Sequence, residues 1–144
     1  MILAIDTSTS RSSVGLLDVQ AQVSVSRHRD GGRHAEVLVP LISELLQSVG
    51  VERGSITSIV VGVGPGPFTG LRVGIMTARA MAHALDIPVV GVCSLDAIAR
   101  EQIDDEATAL TVLTPARRTE LYCATYDSSG TRIGGPSVVS TVEA

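Results

Sequence analysis

The chain has 144 residues, 44% of them hydrophobic, and a formal net charge of −4. This hydrophobic content is ample for a packed globular core. The negative charge leaves no basic stripe for a polyanion, so we expect any nucleic acid to be reached through a partner. All 11 basic residues are arginines, which excludes catalysis by a lysine of this chain. No apolar run reaches the length of a membrane span, and we expect a cytoplasmic protein.

The first hundred residues predict a mixed sheet with three helices. Short apolar runs predict the strands, and apolar residues at helical spacing predict the helices. The predicted elements are strands at 2–5, 14–17 and 23–27, a helix at 34–49, a strand at 56–63, a helix at 70–85, a strand at 88–92 and a helix at 95–102. This β-β-β-α-β-α-β-α order indicates an α/β fold, a ribonuclease-H-like lobe in which right-handed crossovers extend a three-stranded meander.

The remaining residues predict the start of a second lobe of similar type. An acidic segment at 104–106 marks the boundary, so the predicted domains are 1–103 and 104–144. Strands are predicted at 110–113, 121–126 and 131–133, with a hairpin turn at 127–130. Because no helix follows this meander, we expect an incomplete second lobe whose sheet lacks a covering helix.

The segment 60–74 is the most informative part of the chain. It runs from a β-branched strand through a Gly/Pro loop into a helix of small residues. We predict that Gly64 and Gly66 adopt backbone angles closed to other residues, and that Thr69 caps the following helix. The only phenylalanine, Phe68, either plugs the core or contacts a ligand. The glycine spacing matches neither a P-loop nor a dinucleotide fingerprint.

The polar turn Asp6-Thr7-Ser8-Thr9 follows the first strand and has two interpretations. In the first, the carboxylate binds a metal while the hydroxyls and backbone amides bind a phosphate. In the second, this is a strand-ending turn in which Thr and Ser bond their own backbone. The residue types alone leave both interpretations open.

The helix predicted at 70–85 is apolar nearly all round. Gly70, Gly74, Ala78 and Ala82 repeat every four residues, a spacing that lets another backbone approach closely. A helix on a sheet buries one face, so this helix needs a second cover. Either the helix at 34–49 or a protein partner provides that cover.

No metal site is predicted. Cys93 and Cys123 stand apart without a Cys-x-x-Cys motif, and the three histidines have no ligand spacing. The chain likewise has no sequence motif that places a nucleophile beside an activating base.

Three segments, at 2–9, 62–74 and 88–92, together resemble the TsaB (YeaZ) family of the actin-like ATPase superfamily. The resemblance implies a non-catalytic scaffold subunit of the machinery that makes threonylcarbamoyladenosine in tRNA. In that machinery TsaD performs the transfer and TsaE is an ATPase. The implied partners are a second copy of the chain, TsaD and TsaE, with tRNA contacted only indirectly and no membrane.

The resemblance also implies which residues matter. In the family, the helices that match 34–49 and 70–85 form the interface, homodimeric or with TsaD. The predicted interface residues are Val37, Leu41, Leu45, Leu71, Gly74, Ile75 and Ala78. TsaD carries two metal-binding histidines where this chain has Ser94 and Ile98, so the resemblance favours the scaffold over the transferase.

The resemblance implies no cofactor of the chain's own, and ATP or ADP at a composite interface remains open. The alternative function is an actin-like ATP-binding phosphotransferase or threonylcarbamoyl transferase. It would bind nucleotide at Asp6, Thr7, Ser8 and Thr9.

Overall fold

The first sheet has five strands, β1 (Ile2–Asp6), β2 (Ser12–Asp18), β3 (Val23–Arg29), β4 (Ser58–Gly62) and β5 (Val89–Val92). This is a computed structural model, and it describes residues 1–18, 20, 23–103 and 109–141. The strand order is β3-β2-β1-β4-β5. Strands β1 to β3 form the predicted antiparallel meander, and β4 and β5 continue it in parallel. The predicted α/β fold class is confirmed.

Three helices connect these strands or follow them. They are α1 (His34–Ser48), α2 (Phe68–Leu85) and α3 (Ser94–Gln102), and a short 3₁₀ turn lies at Arg53–Ser55. The predicted helix boundaries differ from these by at most two residues. None of the described helices combines the length and the apolar character needed to cross a lipid bilayer.

One face of the first sheet is covered by α1 and α2. Side chains alternate along a strand, so Leu3 and Ile5 of β1 point into this core while Ala4 between them is exposed. The buried members of the core are Leu3, Ile5, Val14, Leu16, Leu38, Leu41, Ile42, Leu45, Leu46, Ile56, Ile59, Val61, Ala78 and Ala82. The two helices therefore cover the side of the sheet opposite to Ala4.

The second sheet is the predicted meander of β6 (Ala109–Pro115), β7 (Glu120–Asp127) and β8 (Arg132–Ser140). Helix α3 packs on it: Leu95 and Ala99 form a second buried cluster with residues of β6 and β7. The expectation that this sheet lacks a covering helix was therefore wrong. Apolar spacing in α3 predicts a buried face but does not say which sheet buries it. The predicted acidic boundary at 104–106 lies outside the described residues.

The predicted hairpin between β7 and β8 is confirmed, and Asp127 organises it. Its carboxylate accepts hydrogen bonds from the backbone N–H of Ser129 at 2.9 Å and from that of Thr131 at 3.0 Å. Gly130 has a φ of 80°, which a glycine adopts without strain.

Candidate functional site

The turn that follows β1 is organised by the carboxylate of Asp6. Its Oδ1 accepts hydrogen bonds from the backbone N–H of Ser8 at 2.8 Å and from the Ser8 hydroxyl at 2.7 Å. Its Oδ2 accepts a hydrogen bond from the hydroxyl of Ser94, at the start of α3, at 2.6 Å. A Cβ atom on Gly62 would collide with this carboxylate, so the close approach requires a glycine there. The geometry is that of a strand-ending Asx turn.

The next residue, Thr7, ties the same turn to α2. Thr7 is fully buried, and its hydroxyl donates a hydrogen bond to the carbonyl of Gly70 at 2.7 Å. A Cβ atom on Gly74 would collide with the Thr7 side chain. The row of small residues on α2 therefore lets the helix approach β1 rather than a partner.

A cavity of about 270 Å³ adjoins Asp6 on the uncovered face of the first sheet. Its walls are mainly apolar, and the described lining residues include no basic side chain that would pair with a phosphate. Both oxygens of Asp6 and the hydroxyl of Thr7 already have hydrogen-bond partners within the chain. As arranged, these side chains do not fit the phosphates of a nucleotide. Nucleotide binding at Asp6 to Thr9 remains a hypothesis, with or without a second subunit.

The Gly/Pro loop before α2 uses its glycines in two different ways. Gly64 has a φ of 92°, as predicted, and precedes a cis peptide bond to Pro65. Gly66, by contrast, has no left-handed φ among the described backbone angles, so that part of the prediction was wrong. It must be small because a Cβ atom there would collide with the backbone of Ser8.

Helix α2 begins at Phe68, with Pro67 in the capping position and no side-chain cap. Thr69 is exposed and lies inside the first turn, so the prediction that it caps the helix was wrong. The helix starts two residues earlier than the glycine pattern indicated. Phe68 does not plug the core, because it is 69% exposed, and the guanidinium of Arg72 lies 4.6 Å from its ring centroid.

Four of the seven predicted interface residues are buried in the chain's own core. Leu41, Leu45 and Ala78 belong to the first core, and Gly74 packs against Thr7. These four residues are therefore covered within the chain itself, and a role for them at an interface stays a prediction. Val37, Leu71 and Ile75 are half-buried, and their contact with a partner stays a prediction.

The outer side of α1 and α2 instead exposes apolar residues that the sequence analysis did not select. Val39 is 53% exposed, Met76 is 58% exposed and Phe68 extends the row at the start of α2. We call these three residues the α1–α2 surface. Val39 also lines a groove of about 240 Å³, together with Ile42, Ser43, Arg53, Met81, Ala84 and Leu85.

A signal for this surface was present in the sequence. Phe68, Arg72 and Met76 are four residues apart, and they alternate with the row that contains Gly70 and Gly74. Two rows offset by two residues lie on nearly opposite sides of a helix. Once one row faces the sheet, the other must face outward.

Ser94 and Ile98, the positions that match the TsaD histidines, both make contacts that hold α3 in place. Ser94 is 4% exposed and bonds Asp6, while Ile98 packs against the second buried cluster. Among the described residues, no group of three or more His, Cys, Asp or Glu side chains is placed to hold a metal ion. Cys93 and Cys123 are half-buried free thiols.

Comparison with known proteins gives consistent results. A family model described as "TsaD: tRNA N6-adenosine threonylcarbamoyltransferase" matches residues 25–144. An uncharacterised protein of Mycobacterium tuberculosis is 43% identical over 95% of this chain and 64% of its own length. The tRNA threonylcarbamoyladenosine biosynthesis protein TsaB of Escherichia coli is 32% identical over 87% of this chain and 54% of its own length.

The solved structure of YeaZ from Pseudomonas aeruginosa superposes with a TM-score of 0.84 at 32% identity. The superposition covers 96% of this chain and 66% of that one. The chain thus spans between about half and two thirds of the length of each of these three proteins. The family model, the sequence relatives and the shared fold agree: the chain belongs to the family that this model describes and, within it, to the TsaB (YeaZ) group.

Proposed function

We propose that this chain is a non-catalytic scaffold subunit of the cytoplasmic machinery that makes threonylcarbamoyladenosine in tRNA. In this proposal it forms a homodimer when alone, and it binds the transferase TsaD and, in the assembled complex, TsaE. It contacts tRNA only through these partners, since its net charge is −4. Membership in the TsaB group supports the pathway, and the surface chemistry supports the scaffold role.

The α1–α2 surface is the observation that carries this proposal. Met76 and Phe68 expose more than half of their area on α2, and Val39 does so on α1. Helix α1 packs beside α2 over the sheet, and Val39 also lines the groove between residues of these two helices. Exposed apolar residues and apolar grooves are both typical of binding surfaces. Arg72, stacked on Phe68, adds an aromatic and arginine pair of the kind enriched at binding hot spots.

The non-catalytic role is supported by the side chains that surround Asp6. A carboxylate has about four acceptor sites, and Asp6 uses three of them for hydrogen bonds from the backbone and hydroxyl of Ser8 and from the hydroxyl of Ser94, so it serves to hold the turn. Ile98 offers only an alkyl chain. We therefore place the chemistry of the pathway on the partner.

The experiment is analytical ultracentrifugation of the chain alone and mixed with a cognate TsaD, with and without ATP. The variant is Met76→Glu, which puts a charge on the α1–α2 surface without altering the core. The matched control is Ile133→Glu, which places the same charge on an exposed apolar residue of β8, 67% exposed. Circular dichroism verifies that both variants fold.

We expect the unchanged chain to sediment as a homodimer that exchanges into a complex with TsaD. Met76→Glu should weaken both associations by about tenfold or more, as loss of a hot-spot contact does. Ile133→Glu should leave both unchanged. Equal effects of the two variants, or a chain that ignores TsaD, would contradict the scaffold proposal.

The alternative, an ATP-dependent transferase, is tested separately by calorimetric titration of the chain with MgATP. It requires saturable binding that disappears in Asp6→Ala. The scaffold proposal expects no binding by the chain alone. Saturable binding at Asp6 would favour the alternative.

A further inference from the structure

Helix α3 forms one packed unit with the second sheet. Leu95 and Ala99 are buried against Val112, Ala124 and Tyr126. The hydroxyl of Tyr126 donates a hydrogen bond to Asp96 at 2.8 Å, and Arg132 pairs with the same carboxylate at 3.1 Å. Apolar and polar contacts together therefore attach the body of α3 to β6–β8.

The attachment of α3 to the first sheet is of a different kind, because it is concentrated at one residue. Ser94, the first residue of the helix, donates its hydroxyl to Asp6 at 2.6 Å and its backbone N–H to the carbonyl of Gly64 at 2.9 Å. Ser94 is nearly fully buried and Asp6 is half-buried, and both line the cavity between α3 and the first sheet. A short hydrogen bond from a hydroxyl to a carboxylate is among the stronger kinds in proteins.

A cavity rather than a core separates α3 from the open face of the first sheet. Ala4, Gly15 and Val60 form the sheet side of this cavity, and Cys93 and Ala97 form the α3 side. Its volume of about 270 Å³ leaves room for several water molecules, so the two units can change their separation here without losing buried side-chain packing.

We infer that the hydrogen bond between Asp6 and Ser94 is a clasp that sets the orientation of the second sheet relative to the first. While the clasp is closed, α3 and β6–β8 hold one position against the five-stranded sheet. When it opens, they move together as one body, with residues 92–94 as the hinge. The next residue after Asp6, Thr7, donates a hydrogen bond to α2. Two adjacent residues at the end of β1 therefore contact one helix of each unit, α2 of the first and α3 of the second.

The test uses Ser94→Ala in the full chain, since alanine keeps helix propensity and removes only the hydroxyl. The matched control is Ser129→Ala, which deletes another serine-to-aspartate hydrogen bond, of 2.7 Å to Asp127, within a single hairpin. Residual dipolar couplings of backbone amides are measured separately for β1–β5 and for β6–β8. Circular dichroism and the unfolding midpoint establish that both variants fold.

In the unchanged chain and in Ser129→Ala, we expect one alignment tensor to fit both sets of couplings. In folded Ser94→Ala, the two sets should require different tensors. After correction for intrinsic rates, the amide at position 94 should exchange with solvent about 10- to 100-fold faster than in the unchanged chain. One common tensor and an unchanged exchange rate in folded Ser94→Ala would overturn the inference.

A second measurement needs no variant and applies even when Ser94→Ala fails to fold. In the unchanged chain, the amide of Ser94 should exchange through a partial opening, faster than the central amides of β1 and β7. Exchange of Ser94 only together with those amides, by global unfolding, would show that the two units do not separate and would overturn the clasp.

Discussion

The two packed units of this molecule are stabilised in different ways. Among the described residues, the first core combines fourteen buried residues, nearly all large aliphatic side chains, from the five-stranded sheet, two helices and the segment before β4. The second has five buried residues among those described, and its largest side chain, Tyr126, carries a hydroxyl bonded to Asp96. Burial of apolar area therefore contributes most of the stability of the first unit, whereas the stability of the second depends more on a few polar contacts.

This difference indicates which kind of substitution should destabilise each unit. The first unit should respond mainly to changes of side-chain volume, because large aliphatic side chains make up most of its core, although His34 of α1 is also buried and lies beside the Ser12 hydroxyl. The second unit should respond to changes of hydrogen bonding and of protonation, because a phenol, a carboxylate and a guanidinium meet at Asp96. Three substitutions test this contrast.

The largest effect is expected for Leu45→Ala in the first core. Leu45 is fully buried in α1, so the truncation should lower the free energy of unfolding by about 2–5 kcal/mol. The measurement is urea unfolding followed by circular dichroism. The control is Gln47→Ala on the same helix, which is exposed, lies outside the α1–α2 surface and should change stability by less than about 0.5 kcal/mol. Similar losses in both variants would contradict the assigned orientation of α1.

A smaller effect is expected for Tyr126→Phe in the second core. The substitution keeps the buried ring and removes its hydrogen bond to Asp96, which should cost about 1–2 kcal/mol. The readout is hydrogen exchange of the β7 amides. Tyr122→Phe on the same strand is the control, because its hydroxyl forms no hydrogen bond within the part of the chain that the structure describes.

The same tyrosine predicts a dependence on alkaline pH. Burial, and then the hydrogen bond and charge of Asp96, raise the pKa of Tyr126 well above its usual value. Above about pH 10 the unfolded chain loses this proton while the folded chain keeps it, so stability should fall as pH rises. Tyr126→Phe should flatten that fall. Parallel alkaline profiles for the unchanged chain and Tyr126→Phe would refute the assignment.

The smallest effect is expected for Asp127→Asn at the exposed hairpin. Hydrogen bonds, chiefly from the Ser129 hydroxyl and then from the amide of Thr131, lower the pKa of the Asp127 carboxyl. Its stabilising contribution is therefore present above the unfolded pKa, near 4, and is lost as pH falls through the lower folded value. Comparing acid unfolding of the two proteins should show a slightly weaker pH dependence in the variant. If the stability of Asp127→Asn fell more steeply with acid than that of the unchanged chain, the direction of the Asp127 pKa shift would be contradicted.

Much of the fold could be predicted from local patterns. Apolar spacing located α1 and α3 within one residue at each end, and the turn residues 127–130 located the β7–β8 hairpin. These signals are local because a helix or hairpin is selected by residues a few positions apart. The predicted start of α2, residue 70, lies two residues after the observed start at Phe68, because the first turn of the helix has no side-chain cap to mark it.

The candidate site was less predictable, because apolar spacing does not say what covers each face. Leu41, Leu45, Gly74 and Ala78 have the pattern of an interface, but the chain's own sheet covers them. Met76 and Val39 belong to helices that are apolar on several sides, so the sequence did not distinguish them from core residues. The packed structure shows that they are exposed. His34, isolated in the sequence, is buried, and its Nδ1 lies 2.7 Å from the Ser12 hydroxyl.

The sequence by itself determined the order of the elements, the α/β class and the resemblance to the family, since these rest on periodicity and on the glycine-rich segment. The tertiary structure alone decided which sheet α3 covers, which side of α2 faces inward, and that Ser94 closes on Asp6 from 88 positions away. The reason is physical. A local pattern specifies the conformation of a segment, whereas its contacts depend on the path of the whole chain, which brings distant residues together only on folding.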